Sequence, residues 1–279
     1  MEGGLNDTVF GVPAGDWTWR YVFAYAVLVV QVGWATLMAV GALGKIGEFG
    51  LLPYVCHFTN WSWTAQLLFY YATAAAPFVL TGIIDERSSV GALTRALLVL
   101  AFFPLNGVIF TVMFVVSVLL GTGSPFLTDI FTKYPPEIVF LGNDLMHFWP
   151  IVVLLLYFIV YRKLIAYSLN RVLVAYDIIE SPWRFTLFIG YQAYGGAGIA
   201  LAIYSLIFDP REVYESDQPI VVGVVAVAVS LTIFNLTPLL IVLALGVASP
   251  VRYSRAWLLR NDVDPRLSPA DDSRRVKSY

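Results

Sequence analysis

The chain has 279 residues, of which 59% are hydrophobic and only 13% are charged, and its mean hydropathy is +0.75. Because a soluble domain is usually about one-quarter charged, this composition excludes an ordinary soluble protein and favours a multi-pass membrane protein. The net charge of −2 gives no indication of nucleic-acid binding, and the single cysteine, Cys56, excludes an intrachain disulfide.

The polar N-terminal segment, residues 1–20, resembles neither a signal peptide nor a transit peptide. It carries Glu2, Asp7 and Asp16, and Arg20 is its only basic residue. A signal peptide would have a basic start, an apolar stretch and a cleavage site, whereas a transit peptide would be rich in Arg. We therefore expect the first membrane helix to serve as the insertion signal.

Six stretches are apolar enough, over roughly 20 residues, to cross a bilayer. They run from Tyr21 to Leu43, Trp61 to Ile84, Leu97 to Leu120, Asp144 to Tyr161, Phe185 to Phe208 and Ile220 to Val247. They predict an all-α fold, a polytopic bundle of six transmembrane helices over residues 21–248. A basic, partly disordered tail, residues 249–279, is expected to follow it.

The distribution of Lys and Arg predicts the orientation of this bundle. Six spans place 14 of the 17 basic residues on the side of both termini and only Lys45, Lys133 and Arg211 on the other side. Since positive loops stay in the cytoplasm, both termini should be cytoplasmic. Aromatic residues near the predicted ends of the spans are expected to anchor helices at the membrane interface. These are Trp61, Trp63, Tyr161 and Trp183.

Proline and glycine mark departures from regular helix. Pro104 and Pro150 lie inside or near spans, where each removes a helix hydrogen bond and can kink the helix. The small residues of Tyr194 to Gly198, "YGGAG", allow a close approach in the fifth span, which indicates packing more often than function.

The start of the fourth span carries polar groups that are costly near hydrocarbon. His147 is expected about one turn below the non-cytoplasmic surface, where a neutral imidazole can act as a general base. Asn143 and Asp144 precede it. Asp144 can cap the helix or orient the ring of His147, three residues on. The alternative is that both residues only stabilise the helix start.

The start of the second span is polar too and lies on the same side. Its polar residues are His57, Thr59, Asn60, Ser62, Thr64 and Gln66. A hydroxyl here would lie at about the depth of His147, as a hydroxyl–imidazole couple requires. The alternative is that Thr59 or Asn60 caps the helix. Asn60 also begins a glycosylation sequon, which is expected to lie too close to the membrane for use.

Further polar residues lie within the spans, and some could line a cavity. Interhelical hydrogen bonds are the commoner explanation for such residues. They are Gln66, Asn106, Gln192, Asn235 and Thr237.

Four of these features, in this order, resemble the androgen-induced membrane protein family, which includes hydrolases of fatty acid esters of hydroxy fatty acids. Thr59 is followed seven residues later by Gln66, and "LLVLAFFPLNGVIF", Leu97 to Phe110, is similar to an Ala-Phe-Pro motif with one extra Phe. Asn143, Met146 and His147 match a pattern that precedes the family's fourth helix, and Asn235 matches an asparagine of the sixth. The resemblance covers roughly residues 50 to 245.

The resemblance implies a eukaryotic membrane hydrolase of lipid esters that uses no cofactor, with Thr59 as nucleophile and His147 as base. In such chemistry Asn143, Asn60 or backbone N–H groups could donate to the oxyanion, with Gln66 in a supporting role. One departure is that Asp144 stands where the family has the first histidine of a pair. The expected partners are a membrane lipid or lipid ester and, in a complex, other membrane proteins.

Other functions stay open at this point. A non-catalytic subunit of a multi-subunit membrane complex could keep the same fold, and the loss of the family histidine favours it. A channel or transporter lacks support because no span centre carries a charged residue, and a retinal Schiff base lacks a mid-span lysine. A zinc site made of His57, His147 and Asp144 has enough ligands, but the sequence does not show that they converge.

Overall fold

The computed structural model describes residues 8–9, 12–13, 17–109, 111–112, 135, 137, 147–178 and 181–213. A minimal antiparallel pairing, Thr8–Val9 with Val12–Pro13, precedes the helices. Helices and turns make up nearly all of the remaining described chain, as the all-α prediction requires. The sixth predicted span, with Asn235 and Thr237, and the C-terminal tail lie outside the described residues.

The helices follow one another with short connections. They are α1 (Trp17–Phe49), α2 (Leu51–Val55), α3 (Phe58–Ala72), α4 (Ala76–Leu80), α5 (Ser89–Leu100), α6 (Trp149–Ala175), α7 (Pro182–Gly190) and α8 (Gly196–Ile207). A π-helical segment, Tyr191–Gly195, joins α7 to α8, and Pro210–Val213 forms a last short helix.

Three helical stretches in the described part of the chain are long and apolar enough to cross a membrane. They are Trp17–Phe49, Ser89–Ile109 and Trp149–Leu173. Each falls at a predicted span and extends beyond the predicted limits. The third passes Arg162 and Lys163, which are exposed, because Leu164, Ile165 and Leu169 keep burying the opposite face. A basic pair therefore does not end this helix.

The second predicted span consists of two helices, α3 and α4, separated at residues 73–75. Pro77 lies in the first turn of α4 and has no N–H to donate to the Thr73 carbonyl, so the backbone N–H of Ala76 donates to that carbonyl at 2.9 Å. Proline explains the break, which the hydropathy of the sequence does not reveal.

The second of these stretches begins at Ser89, eight residues before the start of the third predicted span. The Ser88 hydroxyl caps α5 by accepting from the Gly91 N–H at 3.1 Å. Farther along, Pro104 cannot donate to the Leu100 carbonyl, four residues back. The Tyr191 hydroxyl donates to that carbonyl at 2.9 Å. Pro150 behaves differently, because it lies in the first turn of α6, where no helix donor is needed.

Successive segments alternate in direction between two ends of a bundle. Gln31 of α1 contacts Tyr70 near the end of α3, whereas Arg20 contacts the Thr81 carbonyl and Trp63 contacts the Met38 carbonyl, so α1 and α3 are antiparallel. We call one end the Cys56 end and the opposite end, where α5 begins, the Glu86 end.

Polar side chains meet in the middle of this bundle. Gln31 donates to the Tyr70 carbonyl at 2.8 Å and to the Thr73 hydroxyl at 3.2 Å, and it accepts from the Tyr161 hydroxyl at 3.1 Å. Tyr161 is fully buried. The prediction that Tyr161 anchors the helix at the interface is therefore wrong. The same holds for Trp63, whose indole N–H donates to the Met38 carbonyl at 2.7 Å.

Gly195, in the fifth predicted span, makes room for the ring of Tyr191 in the same segment. A Cβ on Gly195 would lie 2.6 Å from the ring of Tyr191. The absence of a side chain at Gly195 lets this ring lie across the backbone while its hydroxyl donates to the Leu100 carbonyl. The partner of Gly195 is thus Tyr191 of the same segment, and the close approach of two helices stays a prediction.

Candidate functional site

The candidate site lies at the Cys56 end, where a short turn leads from α2 into α3. Helix α3 begins at Phe58, with His57 as its N-cap residue, so the prediction that Thr59 or Asn60 caps the helix is wrong. The His57 ring makes no capping bond; its Nδ1 lies 2.9 Å from the Pro53 carbonyl oxygen. Thr59 is therefore in the first turn of α3.

A tyrosine of α8 holds this turn in place. The Tyr204 hydroxyl donates to the Cys56 carbonyl at 2.6 Å, and its ring packs against Phe58 and Trp61, with centroid distances of 5.3 and 5.6 Å. Tyr204 is 1% exposed. It connects α3 and α8, and sequence reasoning missed it because an aromatic residue in an apolar helix carries no signal of its partner.

The hydroxyl of Thr59 differs from those of the other threonines around it. Thr64, Thr73 and Thr81 each donate to the carbonyl four residues earlier, at 2.8 to 2.9 Å. For Thr59 that carbonyl belongs to Val55, and it accepts from the indole N–H of Trp61 at 2.8 Å. Thr59 is half-buried, and its hydroxyl makes no hydrogen bond to another described residue.

Gln66 lies on the same face of α3, deeper in the bundle. Seven residues amount to nearly two full helical turns, or about 10 Å along the axis. Gln66 is 2% exposed, and its amide nitrogen contacts the Ser62 hydroxyl at 3.4 Å. Its Oε1 atom is buried and has no hydrogen-bond partner among the described residues. The face of α3 that carries Thr59 therefore also carries a buried acceptor, Gln66 Oε1, about two turns deeper in the bundle.

Asn60 has a structural role that the sequence did not indicate. It is 5% exposed, and its amide donates to the Tyr54 carbonyl at 2.7 Å. The Tyr54 hydroxyl in turn lies 3.0 Å from the Thr64 hydroxyl, so α2 is tied to α3 at two points. A glycan would have to replace this buried contact, which is a second reason to expect that the sequon is unused.

His147 lies at the same end of the bundle, in a π-helical turn that leads into α6. The rings of Tyr70 in α3 and Tyr157 in α6 lie 5.6 Å apart, and farther along α6 the Tyr167 hydroxyl donates to Glu86, in the loop after α4, at 2.5 Å. The contacts advance in the same direction, so α3 and α6 run parallel. His147 is half-buried, whereas Asn143 and Asp144 lie outside the described residues.

The parallel arrangement sets the axial positions of Thr59 and His147. Thr59 precedes Tyr70 by eleven residues, a rise of about 16 Å, and His147 precedes Tyr157 by ten, a rise of about 15 Å. Both therefore lie at nearly the same level. Eleven residues also amount to about three full turns, so Thr59 faces the same side of α3 as Tyr70, which contacts α6.

Cys56 and His57 form a second polar pair beside Thr59. The Cys56 thiol lies 3.2 Å from His57 Nδ1 and 3.1 Å from the Pro53 carbonyl oxygen. Burial raises the pKa of the Cys56 thiol above its ordinary value. Since the thiolate is the nucleophilic form, this pair is poorly suited to nucleophilic catalysis at neutral pH.

Metal binding finds no support in the described part of the chain, where no three His, Cys, Asp or Glu residues are grouped as ligands. The zinc alternative also required Asp144, which lies outside that part. In comparisons with known proteins, no family model, no curated protein and no solved structure matches this chain.

Proposed function

We propose that this chain is an integral membrane hydrolase of lipid esters, with Thr59 as the nucleophile and His147 as the general base. The observation that supports the proposal is the parallel arrangement of α3 and α6, from which we infer that Thr59 and His147 lie at about the same level of the Cys56 end. In the six-span arrangement with cytoplasmic termini that we propose, this end faces away from the cytoplasm.

The local environment of Thr59 supports its role. A threonine hydroxyl that donates to its own helix is a poor nucleophile, because its proton is already engaged. The indole of Trp61 takes the carbonyl to which Thr59 would otherwise donate. The Thr59 hydroxyl is therefore available to donate to an imidazole nitrogen, which a general base requires.

The proposed reaction proceeds through an acyl-threonine. His147 accepts the proton of the Thr59 hydroxyl as Oγ1 attacks the ester carbonyl carbon, and it returns this proton to the departing alcohol oxygen. Water then attacks the acyl group, with His147 accepting its proton, and the free acid leaves as Thr59 regains its hydrogen. The backbone N–H of Thr59, in the first turn of α3, can stabilise the oxyanion, whereas the N–H of Asn60 already donates to the His57 carbonyl at 3.0 Å.

A lipid ester fits this position better than a soluble substrate. The site is proposed to lie about one turn inside the membrane, so an acyl chain could enter sideways from the outer leaflet while water reaches the ester from the helix ends. The buried Oε1 atom of Gln66, two turns deeper, would accept from a hydroxyl of the ligand or from a water molecule.

The test is hydrolysis of a fatty acid ester of a hydroxy fatty acid by the purified protein. Thr59→Ala and His147→Ala should each abolish activity, whereas Thr59→Ser should retain part of it because the hydroxyl remains. Thr186→Ala is the matched control, since the exposed Thr186 donates only to the Pro182 carbonyl of α7.

Full activity in Thr59→Ala would refute the nucleophile. A wild-type protein that hydrolyses none of several lipid esters would refute the hydrolase. That result would favour the alternative, a non-catalytic subunit of a membrane complex, and identification of co-purifying proteins would follow.

A further inference from the structure

At the Glu86 end, a cluster of charged side chains connects the start of α5 to α6. Arg171 is buried and donates from Nη1 to the Tyr167 hydroxyl at 2.8 Å, and the same nitrogen lies 3.9 Å from Glu86 Oε1. Tyr167 in turn donates to Glu86. One carboxylate therefore serves both the arginine and the tyrosine of α6.

A second arginine, Arg95, approaches this cluster from α5. The contacts of Phe102 with Tyr157 and Phe158 show that the Ser89–Ile109 stretch, which begins with α5, packs on α6. Arg95 lies within electrostatic range of Arg171, Glu86 and Asp85. Its Nε atom is buried and has no hydrogen-bond partner among the described residues.

The backbone of the Asp85–Glu86 loop is held close to Arg95. A Cβ on Gly91 would lie only 2.3 Å from the Asp85 carbonyl oxygen. Because Gly91 and Arg95 are four residues apart, they occupy the same face of α5. The loop that presents Glu86 thus lies on the face of α5 that carries Arg95. The Asp85 carboxylate of this loop accepts a hydrogen bond from the Arg87 N–H at 2.8 Å.

A buried guanidinium nitrogen without an acceptor is costly, and an anion would remove that cost. Guanidinium groups bind phosphate oxygens in a planar, two-pronged geometry, and a tyrosine hydroxyl can complete such a site. Exposed aromatic residues lie toward the same end, among them Trp17 and Trp183, which are 53% and 63% exposed. Such residues are typical of the level of lipid head groups.

We propose that Arg95 and Arg171 form a binding site for the phosphate group of an anionic ligand at the Glu86 end. Arg95 supplies the unsatisfied donor, Arg171 supplies the second positive charge, and Glu86 orients Arg171 through Tyr167. The phosphate belongs either to the head group of an anionic lipid or to a soluble phosphate. The site is separate from Thr59 and His147, which lie at the opposite end of the bundle.

The experiment uses the full chain in maltoside micelles, which contain no phosphate. Binding of phosphatidic acid added to the micelles, and of inorganic phosphate added to the buffer, is measured by the rise in unfolding temperature. We expect Arg95→Gln to weaken binding about tenfold or more, because it removes a charge-assisted donor. Arg87→Gln is the matched control: Arg87 is exposed in the neighbouring loop and carries the same charge.

Arg95→Lys is the second variant, for the case that Arg95→Gln does not fold. It keeps the positive charge but removes the Nε–H donor, so it should preserve the fold and still weaken binding. A response to phosphatidic acid alone identifies a lipid head group as the ligand, and a response to inorganic phosphate identifies a site for the phosphate group itself. No response to either ligand overturns the proposal. Equal losses in Arg87→Gln and Arg95→Gln also overturn it, because they indicate general charge attraction.

Discussion

The hydroxyl of Tyr191 lies 2.9 Å from the carbonyl oxygen of Leu100. Pro104, four residues later in the Ser89–Ile109 stretch, has no N–H to donate to this carbonyl. In an apolar environment an unpaired carbonyl is expensive, so a proline within a helix needs an outside donor. The π-helical segment supplies one, because Gly195 leaves room for the Tyr191 ring. Next to it, Gln192 donates to the Val99 carbonyl at 2.9 Å, which confirms the prediction of interhelical hydrogen bonding for this residue.

Replacement of Tyr191 by Phe should lower stability by about 1–3 kcal/mol, the cost of leaving a carbonyl without its donor in an apolar environment. Pro104→Ala restores a backbone donor to the Leu100 carbonyl, so Tyr191→Phe should cost less in that background. Thermal unfolding of the four proteins in detergent measures this coupling. Equal costs in both backgrounds would show that the hydroxyl does not substitute for the missing N–H.

Gln31→Leu should destabilise the bundle by about 1–2 kcal/mol, because hydrogen bonds between helices in membranes contribute in this range at most. The change removes the acceptor of Tyr161 and a donor to Thr73. If the cluster acts as a unit, the double variant Gln31→Leu/Tyr161→Phe should lose less stability than the sum of the losses in the two single variants. Chemical or thermal unfolding of the single and double variants provides the measurement, and strict additivity would contradict the cluster.

Gly91→Ala should cost about 1–3 kcal/mol, the usual penalty for overpacking, because the new Cβ would meet the Asp85 backbone rather than a movable side chain. Gly33→Ala is the matched control. Nothing lies within 4 Å of a Cβ at Gly33, which is in the middle of α1. There the change should stabilise the helix by about 0.5–1 kcal/mol. Gly91→Ala should lower the unfolding temperature and Gly33→Ala should raise it. Shifts of the same sign would contradict the close contact between Gly91 and the Asp85 backbone.

Cys56 should react slowly with iodoacetamide at neutral pH. Its raised pKa lowers the thiolate fraction at any given pH below that of an unperturbed thiol. Its alkylation rate should therefore keep rising at a pH where a free cysteine peptide, the control, has reached its plateau. Because the chain has one cysteine, the label reports on this site alone. A plateau at lower pH than the peptide would instead indicate a thiolate paired with His57, and would make Cys56 a rival to Thr59.

The sequence by itself determined the helical character of the chain and the approximate places of its apolar segments. Composition and hydropathy suffice for this, because a long apolar stretch without water must satisfy its own backbone as a helix. The sequence also pointed to two polar stretches, around Thr59 and His147, at the starts of two segments expected to run in the same direction. The parallel course of α3 and α6 agrees with that expectation.

Only the tertiary structure decided which polar groups meet. Tyr161 looked like an interfacial anchor next to Arg162, yet it is buried against Gln31 of α1, 130 residues earlier. The same applies to Tyr204 on the Cys56 carbonyl and to Arg171 beside Glu86. Local sequence specifies a helix through its own backbone hydrogen bonds. The partners of a buried polar side chain depend on which helices become neighbours, and that follows from the packing of the whole bundle.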